Sequence, residues 1–370
     1  MTSTTNMGKP LKTILVGLHS LCAGGTERVA STLLNAFAEW PNVEVHCILY
    51  GKKPEVFYQI SPKVTIHVPD FTFSDRHRIL STLRTMGFIR RVIRRIKPSV
   101  FLNFGEYWNS LALLSAKGLG VDVVVADRSN PNKPLGTIQE FLRSWLYASA
   151  GCVIVQTSRA ARVIKEKVPK QRVIEVIPNP LASWPNASQA PKRNEVLFVG
   201  RLIPSKNVDR LIHMFAAARR DDWRLIIVGD DAQGFSEMGN LKQIASALKV
   251  DQWVSFEGKQ RNVAEYYRRA SIFAFASDSE GFPNALAEAL SFGLPCIAYD
   301  CDAGPGDLVV DGFNGYLVRT HDEHQFSQRL MELISDQELR ECLAANAKKS
   351  VAHLENSRIA QDFLRACGSV

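Results

Sequence analysis

The chain has 370 residues, 46% of them hydrophobic and 22% charged, enough for about two globular domains and too apolar for intrinsic disorder. Its seven cysteines (Cys22, Cys47, Cys152, Cys296, Cys301, Cys342 and Cys367) contain no CxxC pair, so a reducing compartment is expected and a zinc site or disulfide framework is not; the polar N-terminal ten residues and the lack of a long apolar run exclude a signal peptide and a membrane span from the expectation. The net charge of +8 is uneven, with 24 Lys and Arg against 12 Asp and Glu in residues 1–182 and 21 against 25 in residues 183–370, which points to an anionic partner for the first half.

Lys12 to Leu18 reads as a first parallel strand, followed by a loop with Gly24 and Gly25 and then a helix in which Val29, Leu33, Leu34 and Phe37 keep helical spacing. The glycine pair serves either a tight strand-to-helix turn or the close approach of a phosphate to the backbone. Further strands are expected at 43–50 and 64–68. The stretch from Arg76 to Lys97 has eight basic residues and no acidic one, Arg84, Arg90, Arg91, Arg94 and Arg95 among them. Ile79, Leu83, Met86, Ile89, Ile93 and Ile96 recur at three- and four-residue steps, so an amphipathic helix is expected, its apolar side on the sheet and its cationic side toward an anionic lipid surface. Nucleic acid is not expected, because Phe88 alone interrupts the run as an aromatic platform.

Strands at 98–103 and 121–126 come next, the second ending in the polar cluster Asp127, Arg128, Ser129 and Asn130. Another strand runs over 152–156, with Ser158 as the expected helix N-cap. Val173 to Ile177 leads to Pro178, Asn179 and Pro180, and the aperiodic stretch 181–194 reads as an interdomain linker. A second series of alternating units begins at Glu195 and ends with a strand at 315–318. The remainder, Glu323 to Ala366, reads as helical. Strands alternating with helices over the whole length imply an α/β chain with parallel sheets in two doubly wound, Rossmann-like domains, 1–182 and 183–355, facing across a cleft. A C-terminal segment, 356–370, is expected to pack back on the first domain.

The functional centre of the sequence is the turn after the apolar run Ala270 to Ala276. It holds Glu280, Gly281, Phe282 and Pro283 and enters a helix at Asn284 that contains Glu288. A loop at a strand's carboxyl end that opens a helix is where open α/β sheets bind ligands, and the helix N-terminus favours phosphate. Two carboxylates flanking an anion site suit a ligand with both phosphates and hydroxyls, such as a nucleotide sugar. Arg201 follows the strand that ends at Gly200, and Lys206 sits at the next helix start, where the dipole disfavours cations unless a diphosphate lies between them. Asp300, Cys301 and Asp302 spell an Asp-x-Asp, but this sequence follows a parallel strand and precedes a turn, so no metal is expected there.

These motifs together, Gly24 to Arg28, Pro178 to Pro180, Gly200 and Arg201 with Lys206 and Asn207, and Glu280 through Glu288, resemble the signatures of family 4 retaining glycosyltransferases of the GT-B fold. Asp127 to Pro131 and the Glu-Gly-x-Pro-Asn form are similar to the bacterial branch that builds surface polysaccharides and lipid-linked oligosaccharides. The resemblance implies transfer of a hexose or N-acetylhexosamine (GalNAc, Gal or GlcNAc) from a UDP-sugar to a polyprenyl-diphosphate-linked glycan, with no cofactor and no metal, by a peripheral protein at the inner face of the plasma membrane. It assigns the catalytic positions to Arg201, Lys206 and Glu280, with Arg201 and Lys206 on the diphosphate and Glu280 on the donor sugar. It places Gly24, Gly25, Gly200, Phe282, Pro283, Asn284 and Glu288 around the donor, with Glu288 on the ribose. Many relatives carry a histidine in the cluster after the 121–126 strand. Here Asp127 and Arg128 stand instead, either touching acceptor or sugar or closing a strand end. A UDP-sugar epimerase and a non-catalytic nucleotide-sugar scaffold are the alternatives.

Overall fold

In the computed structural model, which describes residues 12–22, 24–51, 56–182, 191–232 and 234–368, apolar runs form parallel strands and amphipathic stretches form the helices between them. The N-terminal segment 1–10 and residues 183–190 of the expected linker lie outside the described residues. Close contacts divide the chain into two units, Met1–Pro180 with Asn356–Val370, and Leu181–Glu355.

Unit 1 contains β1 (Lys12–Leu18), α1 (Gly25–Ala38), β2 (Val43–Leu49), β3 (Thr65–His67), α2 (Arg78–Ile96), β4 (Val100–Phe104), α3 (Glu106–Ala116), β5 (Asp122–Ala126), α4 (Thr137–Leu146), β6 (Cys152–Val155), α5 (Ser158–Lys167) and β7 (Ile174–Val176). Its seven strands are all parallel in the order β3-β2-β1-β4-β5-β6-β7. Ile14, Leu15, Phe101, Leu102, Val124 and Val125 have no exposed surface, as expected of strands covered by helices on both faces.

Unit 2 contains β8 (Glu195–Val199), α6 (Val208–Ala218), β9 (Arg224–Val228), α7 (Met238–Ala247), β10 (Val254–Gly258), α8 (Ala264–Arg269), β11 (Ile272–Phe275), α9 (Asn284–Ser291), β12 (Cys296–Asp300), α10 (Pro305–Leu308), β13 (Gly315–Arg319), α11 (Glu323–Ser335) and α12 (Gln337–Ser350). Its order is β10-β9-β8-β11-β12-β13, again all parallel. In each sheet the strand order reverses once, between β1 and β4 in unit 1 and between β8 and β11 in unit 2. Crossover helices leave opposite faces at such a point and open a crevice at the strands' carboxyl ends. The turns that carry Arg201 and Glu280 follow β8 and β11, so topology alone brings them together.

The continuous helical tail expected after Glu323 is three helices, α11, α12 and α13 (Asn356–Ala366). Asp322 and Asp336 break it, because their carboxylates accept from the backbone N–H groups of Gln325 and Leu339, each at 2.9 Å, and start new helices. α13 joins unit 1, where it packs on α1 and sets Phe363 against Phe104, ring centroids 6.0 Å apart. The α5 cap is Thr157 rather than Ser158: Thr157 is extended, and its hydroxyl accepts from Ala160 N–H at 3.1 Å.

The basic helix also departs from its expected facing. α2 buries Ser81, Thr85, Phe88, Ile89, Val92 and Ile93, whereas Ile79 is 79% exposed and Leu83 58%. The apolar stripe and the buried face therefore coincide only in the second half of the helix. Three of the five arginines expected to face a membrane have partners within the unit, Arg91 through an exposed pair 4.0 Å from the Asp70 carboxylate. Arg90 donates to the carbonyls of Ser115 and Lys117, at 2.7 and 2.9 Å, and so closes the C-terminal end of α3. Arg95 donates to His67 Nδ1 at 2.9 Å. Since arginine only donates, His67 carries its proton on Nε2 and gives it to His46 Nδ1, 2.9 Å away. His46 then presents Nε2–H to Glu44, at 3.3 Å. Burial, His46 and Arg95 together hold His67 down to about 4, so it stays neutral as the acceptor that pins the end of α2 to the sheet edge.

Candidate functional site

The β8 and β11 turns of unit 2 are fastened to each other by Asn207. Its backbone lies in the left-handed region, φ 49°, ψ 42°, which asparagine tolerates better than most residues. This conformation ends the short helical turn Pro204–Lys206 and starts α6. The buried Asn207 amide donates to the carbonyl of Ala276 at 2.9 Å and to the Asp278 carboxylate. Asp278 N–H returns a bond to the carbonyl of Ser205 at 3.0 Å. The loop carrying Lys206 is thus held against the loop carrying Glu280 by backbone and buried side chains.

The result is a direct contact between Lys206 and Glu280, whose side chains are only 14% and 11% exposed. Lys206 Nζ also lies over the Phe275 ring, 5.6 Å from its centroid. A lysine so enclosed is held in one place, as a fixed point charge must be to act on a phosphate. Phe282 and Pro283 are buried beneath the loop, and Gly304 lets them pack. At φ +108° Gly304 has a backbone that side chains avoid, and a Cβ there would sit 2.2 Å from Pro283 Cδ. α9 begins at Asn284 with Pro283 as its N-cap, which provides no side-chain acceptor, and the Leu286 and Ala287 N–H groups donate to the Pro283 carbonyl at 3.0 and 3.1 Å.

Glu288, one turn into α9, is 5% exposed. Tyr267 in α8 donates to Glu288 Oε2 at 3.1 Å and stacks on Phe292, centroids 5.4 Å apart. Glu280 and Glu288 therefore have different surroundings, one beside a cation and one beside a phenol. Gly200 directly follows β8, and its carbonyl approaches Gly229 so closely that a Cβ at Gly229 would stand 1.7 Å from it. Arg201, the next residue, is exposed and forms no ion pair among the described residues. Unit 2 thus gathers Gly200, Arg201, Lys206, Glu280, Phe282, Pro283, Asn284 and Glu288 around one pair of adjacent strand ends.

The residues singled out in unit 1 have other surroundings. Gly24 caps α1, and the Tyr58 hydroxyl both accepts from its N–H, at 3.1 Å, and donates to its carbonyl, at 2.8 Å. Asp127 is buried at the end of β5. Its Oδ1 accepts from Tyr147 OH at 2.6 Å and from Asn109 Nδ2 at 2.9 Å, while Arg143 Nη1 stands 3.9 Å from Oδ2. Burial raises the Asp127 carboxyl to about 6 against the opposing pull of Arg143 and Tyr147. Arg128 is enclosed between Phe104 and Phe363, its guanidinium carbon 5.7 and 5.6 Å from the two centroids, and it donates to Asn179 Oδ1. Burial lowers it to about 9. Asp127 fastens β5 to α3 and to the turn after α4, and Arg128 fastens it to α13. The five arginines of α2 lie on a separate element of this unit.

Sequence reasoning passed over Tyr267 and Asp278. Tyr267 is 21 residues from its partner Glu288 in a helix with no motif of its own, so nothing local signals it. Asp278 was legible, since the Ser277 to Glu280 turn offers a second carboxylate, but its role as an anchor for Asn207 exists only once β8 and β11 are neighbours. Among the described residues no group of three or more His, Cys, Asp or Glu is arranged to hold a metal ion.

Residues 183–350 match the family model "Glycosyl transferases group 1", and residues 23–182 match "Glycosyltransferase Family 4". The chain belongs to glycosyltransferase family 4. This glycosyltransferase is 28% identical over 361 residues to a Campylobacter jejuni enzyme named GalNAc-alpha-(1->4)-GalNAc-alpha-(1->3)-diNAcBac-PP-undecaprenol alpha-1,4-N-acetyl-D-galactosaminyltransferase, covering 95% of this chain and 97% of that one. It is 27% identical over 342 residues to an amylovoran biosynthesis glycosyltransferase of Erwinia amylovora, covering 89% and 92%. Among solved structures, the lipopolysaccharide outer core galactosyltransferase WaaB superposes with a TM-score of 0.77 at 20% identity, over 97% of this chain and 99% of that one. An Anabaena protein in complex with UDP and glucose gives 0.77 at 17% identity, over 97% and 100%. These neighbours share the GT-B fold of two Rossmann-like domains with the glycosyltransferase described here.

Proposed function

We propose that the enzyme is a retaining, metal-independent transferase that moves a hexose or N-acetylhexosamine from a UDP-sugar to a polyprenyl-diphosphate-linked glycan, working at the inner face of the cytoplasmic membrane. The single observation that carries this reading is the enclosed Lys206 and Glu280 contact at the switch point of unit 2, beside the N-terminus of α9. Lys206, Arg201 and the helix end provide positive charge for a diphosphate, and Glu280 is the acceptor for sugar hydroxyls once the phosphate takes over the lysine. Glu288 accepts from the ribose. In the reaction the bond from the sugar's anomeric carbon to the β-phosphate oxygen breaks, a bond to the acceptor hydroxyl forms on the same face, and the hydroxyl proton passes to the departing phosphate. Lys206 and Arg201 stabilise the charge that develops on that phosphate, which is the service a metal ion would otherwise perform.

The lipid-linked acceptor is supported by the C. jejuni relative, whose name specifies an undecaprenol diphosphate, and by the exposed arginines Arg84, Arg91 and Arg94 of α2. No helix among the described residues is long and apolar enough to cross a membrane, so access to such an acceptor is assigned to surface attachment. Product analysis tests the reading. Incubation with UDP-sugars and a lipid-diphosphate-linked acceptor is expected to give free UDP and an acceptor heavier by one sugar residue. Isomerised UDP-sugar with an unchanged acceptor establishes an epimerase instead, and unchanged substrates a binding scaffold.

The bond from Tyr267 to Glu288 gives a narrower expectation. Tyr267→Phe removes one hydrogen bond to a buried carboxylate, a contact worth roughly 1.5–3 kcal/mol when the group is charged. Because Glu288 is placed on the ribose and not on the reacting atoms, the KM for the donor should rise about tenfold while kcat is unchanged. Steady-state kinetics with varied donor checks this, and a fall in kcat at unchanged KM would remove Glu288 from the ribose.

A further inference from the structure

Two helices of unit 1 expose apolar side chains along stripes. On α2 these are Ile79 and Leu83, 79% and 58% exposed. On α4 they are Ile138, Phe141 and Trp145, 76%, 66% and 56% exposed, spaced by three and four residues and so on one face of the helix. A lone exposed leucine is ordinary, but large apolar side chains in stripes on two helices form a patch that wants a partner. Both helices also wall one pocket of about 620 Å³, together with α3. Its lining residues Arg78, Thr82, Gln139 and Leu142 are the sequence neighbours of Ile79, Leu83, Ile138 and Phe141, so the exposed stripes flank that pocket from two sides.

Charge indicates what covers the patch. α2 contains no acidic residue, and Arg78, Arg84, Arg91 and Arg94 are exposed along it. The complementary surface is anionic at one level and apolar just below it, which describes the interface of a bilayer with acidic headgroups. Trp145, with Lys117 Nζ 5.5 Å from its ring centroid, has the amphipathic character that settles at headgroup depth.

We infer that the α4 stripe, with the first half of α2, inserts shallowly into an anionic bilayer surface and seats unit 1 there. This deepens the lipid-linked reading above and rests on it, but it adds an apolar anchor to the arginines of α2. Electrostatic attachment alone fades as salt rises, whereas burial of Ile138, Phe141 and Trp145 does not. The pocket shared by the two inserted helices then lies at the membrane surface, where the apolar chain of an acceptor lipid is available.

The test is flotation of the full chain with phosphatidylglycerol-containing vesicles, at low and high salt, against the triple variant Ile138→Ser, Phe141→Ser, Trp145→Ser. The wild type should float at both salt levels, and the triple variant should lose about tenfold in partition coefficient at each. The substituted side chains are exposed, so the thermal melt should be unchanged, and transfer to a detergent-solubilised acceptor should be kept. Equal partitioning of the two proteins would overturn the inference, as would light scattering that shows the stripe holding two copies together while vesicle binding is unaffected. Loss of transfer by the wild type on every acceptor is a separate result: it sinks the transferase reading and leaves the vesicle measurement interpretable by itself.

Discussion

Lys206→Ala is expected to lower kcat for sugar transfer about 10²–10³-fold, the usual effect of removing one preorganised charge from the position where negative charge develops. Glu280→Ala should fall into the same range for a different reason, since it removes the group placed on the donor sugar and leaves Lys206 enclosed without its carboxylate. The two effects should not add. The side chains touch each other in the resting protein, so the double variant is expected to be little worse than the poorer single one, as for residues that act as one unit. Neither change should unfold unit 2, because the two turns are held by Asn207, Ala276 and Asp278 rather than by the ion pair. A circular dichroism melt beside the kinetics separates the two consequences. Retained activity in either single variant removes the proposed site.

Asp127→Ala should destabilise unit 1. It takes one carboxylate away from Arg143, which is 3% exposed and keeps Glu140 at 3.3 Å, and it removes the acceptor of Tyr147 and Asn109. Leaving a buried donor such as the Tyr147 hydroxyl without its acceptor costs about 1–3 kcal/mol. The calorimetric transition of unit 1 should move down accordingly. Asp127→Asn keeps the shape and the bond from Tyr147, and it should cost less. The pH dependence follows from the carboxyl's rise from its ordinary 3.8 to about 6. The folded unit holds this proton more tightly than the unfolded chain does, so this group's contribution is most favourable below the ordinary value. It declines as pH rises through about 6, by on the order of 3 kcal/mol in all. Asp127→Asn should flatten that decline, and a variant that keeps the full slope would move its origin to another group.

Much of this was legible because each site residue follows a strong local signal. The apolar run before Ser277 marks a buried strand, the Gly281 to Pro283 turn marks its end, and the spacing from Asn284 marks a helix, so Glu280 and Glu288 were placed by elements that propensity controls. Arg201 and Lys206 were legible from the other strand end. What joins them, the adjacency of β8 and β11, is a topological fact, but alternation of strands and helices already limits it to a switch point. The features that the sequence left open or faced differently depend on tertiary context. The α2 apolar stripe has helical periodicity throughout, yet in the first half the buried positions are Ser81 and Thr85 while Ile79 and Leu83 stay exposed, and periodicity alone cannot tell a core face from a solvent face. Asp127 and Arg128 read as polar residues at a strand end, open to a ligand or closing a structure. Their burial depends on Tyr147, Arg143 and Phe363, and the last of these arrives from the far end of the chain.

The proposed division of the donor, with Lys206 on the diphosphate and Glu288 on the ribose, is tested most directly by calorimetric binding of uridine and UDP to the wild type and to Lys206→Ala. UDP should bind the wild type more tightly than uridine, and Lys206→Ala should lose about tenfold or more in UDP affinity while binding uridine as before. Equal affinity of wild type and Lys206→Ala for UDP would contradict the placement of a diphosphate at the β8 and β11 turns.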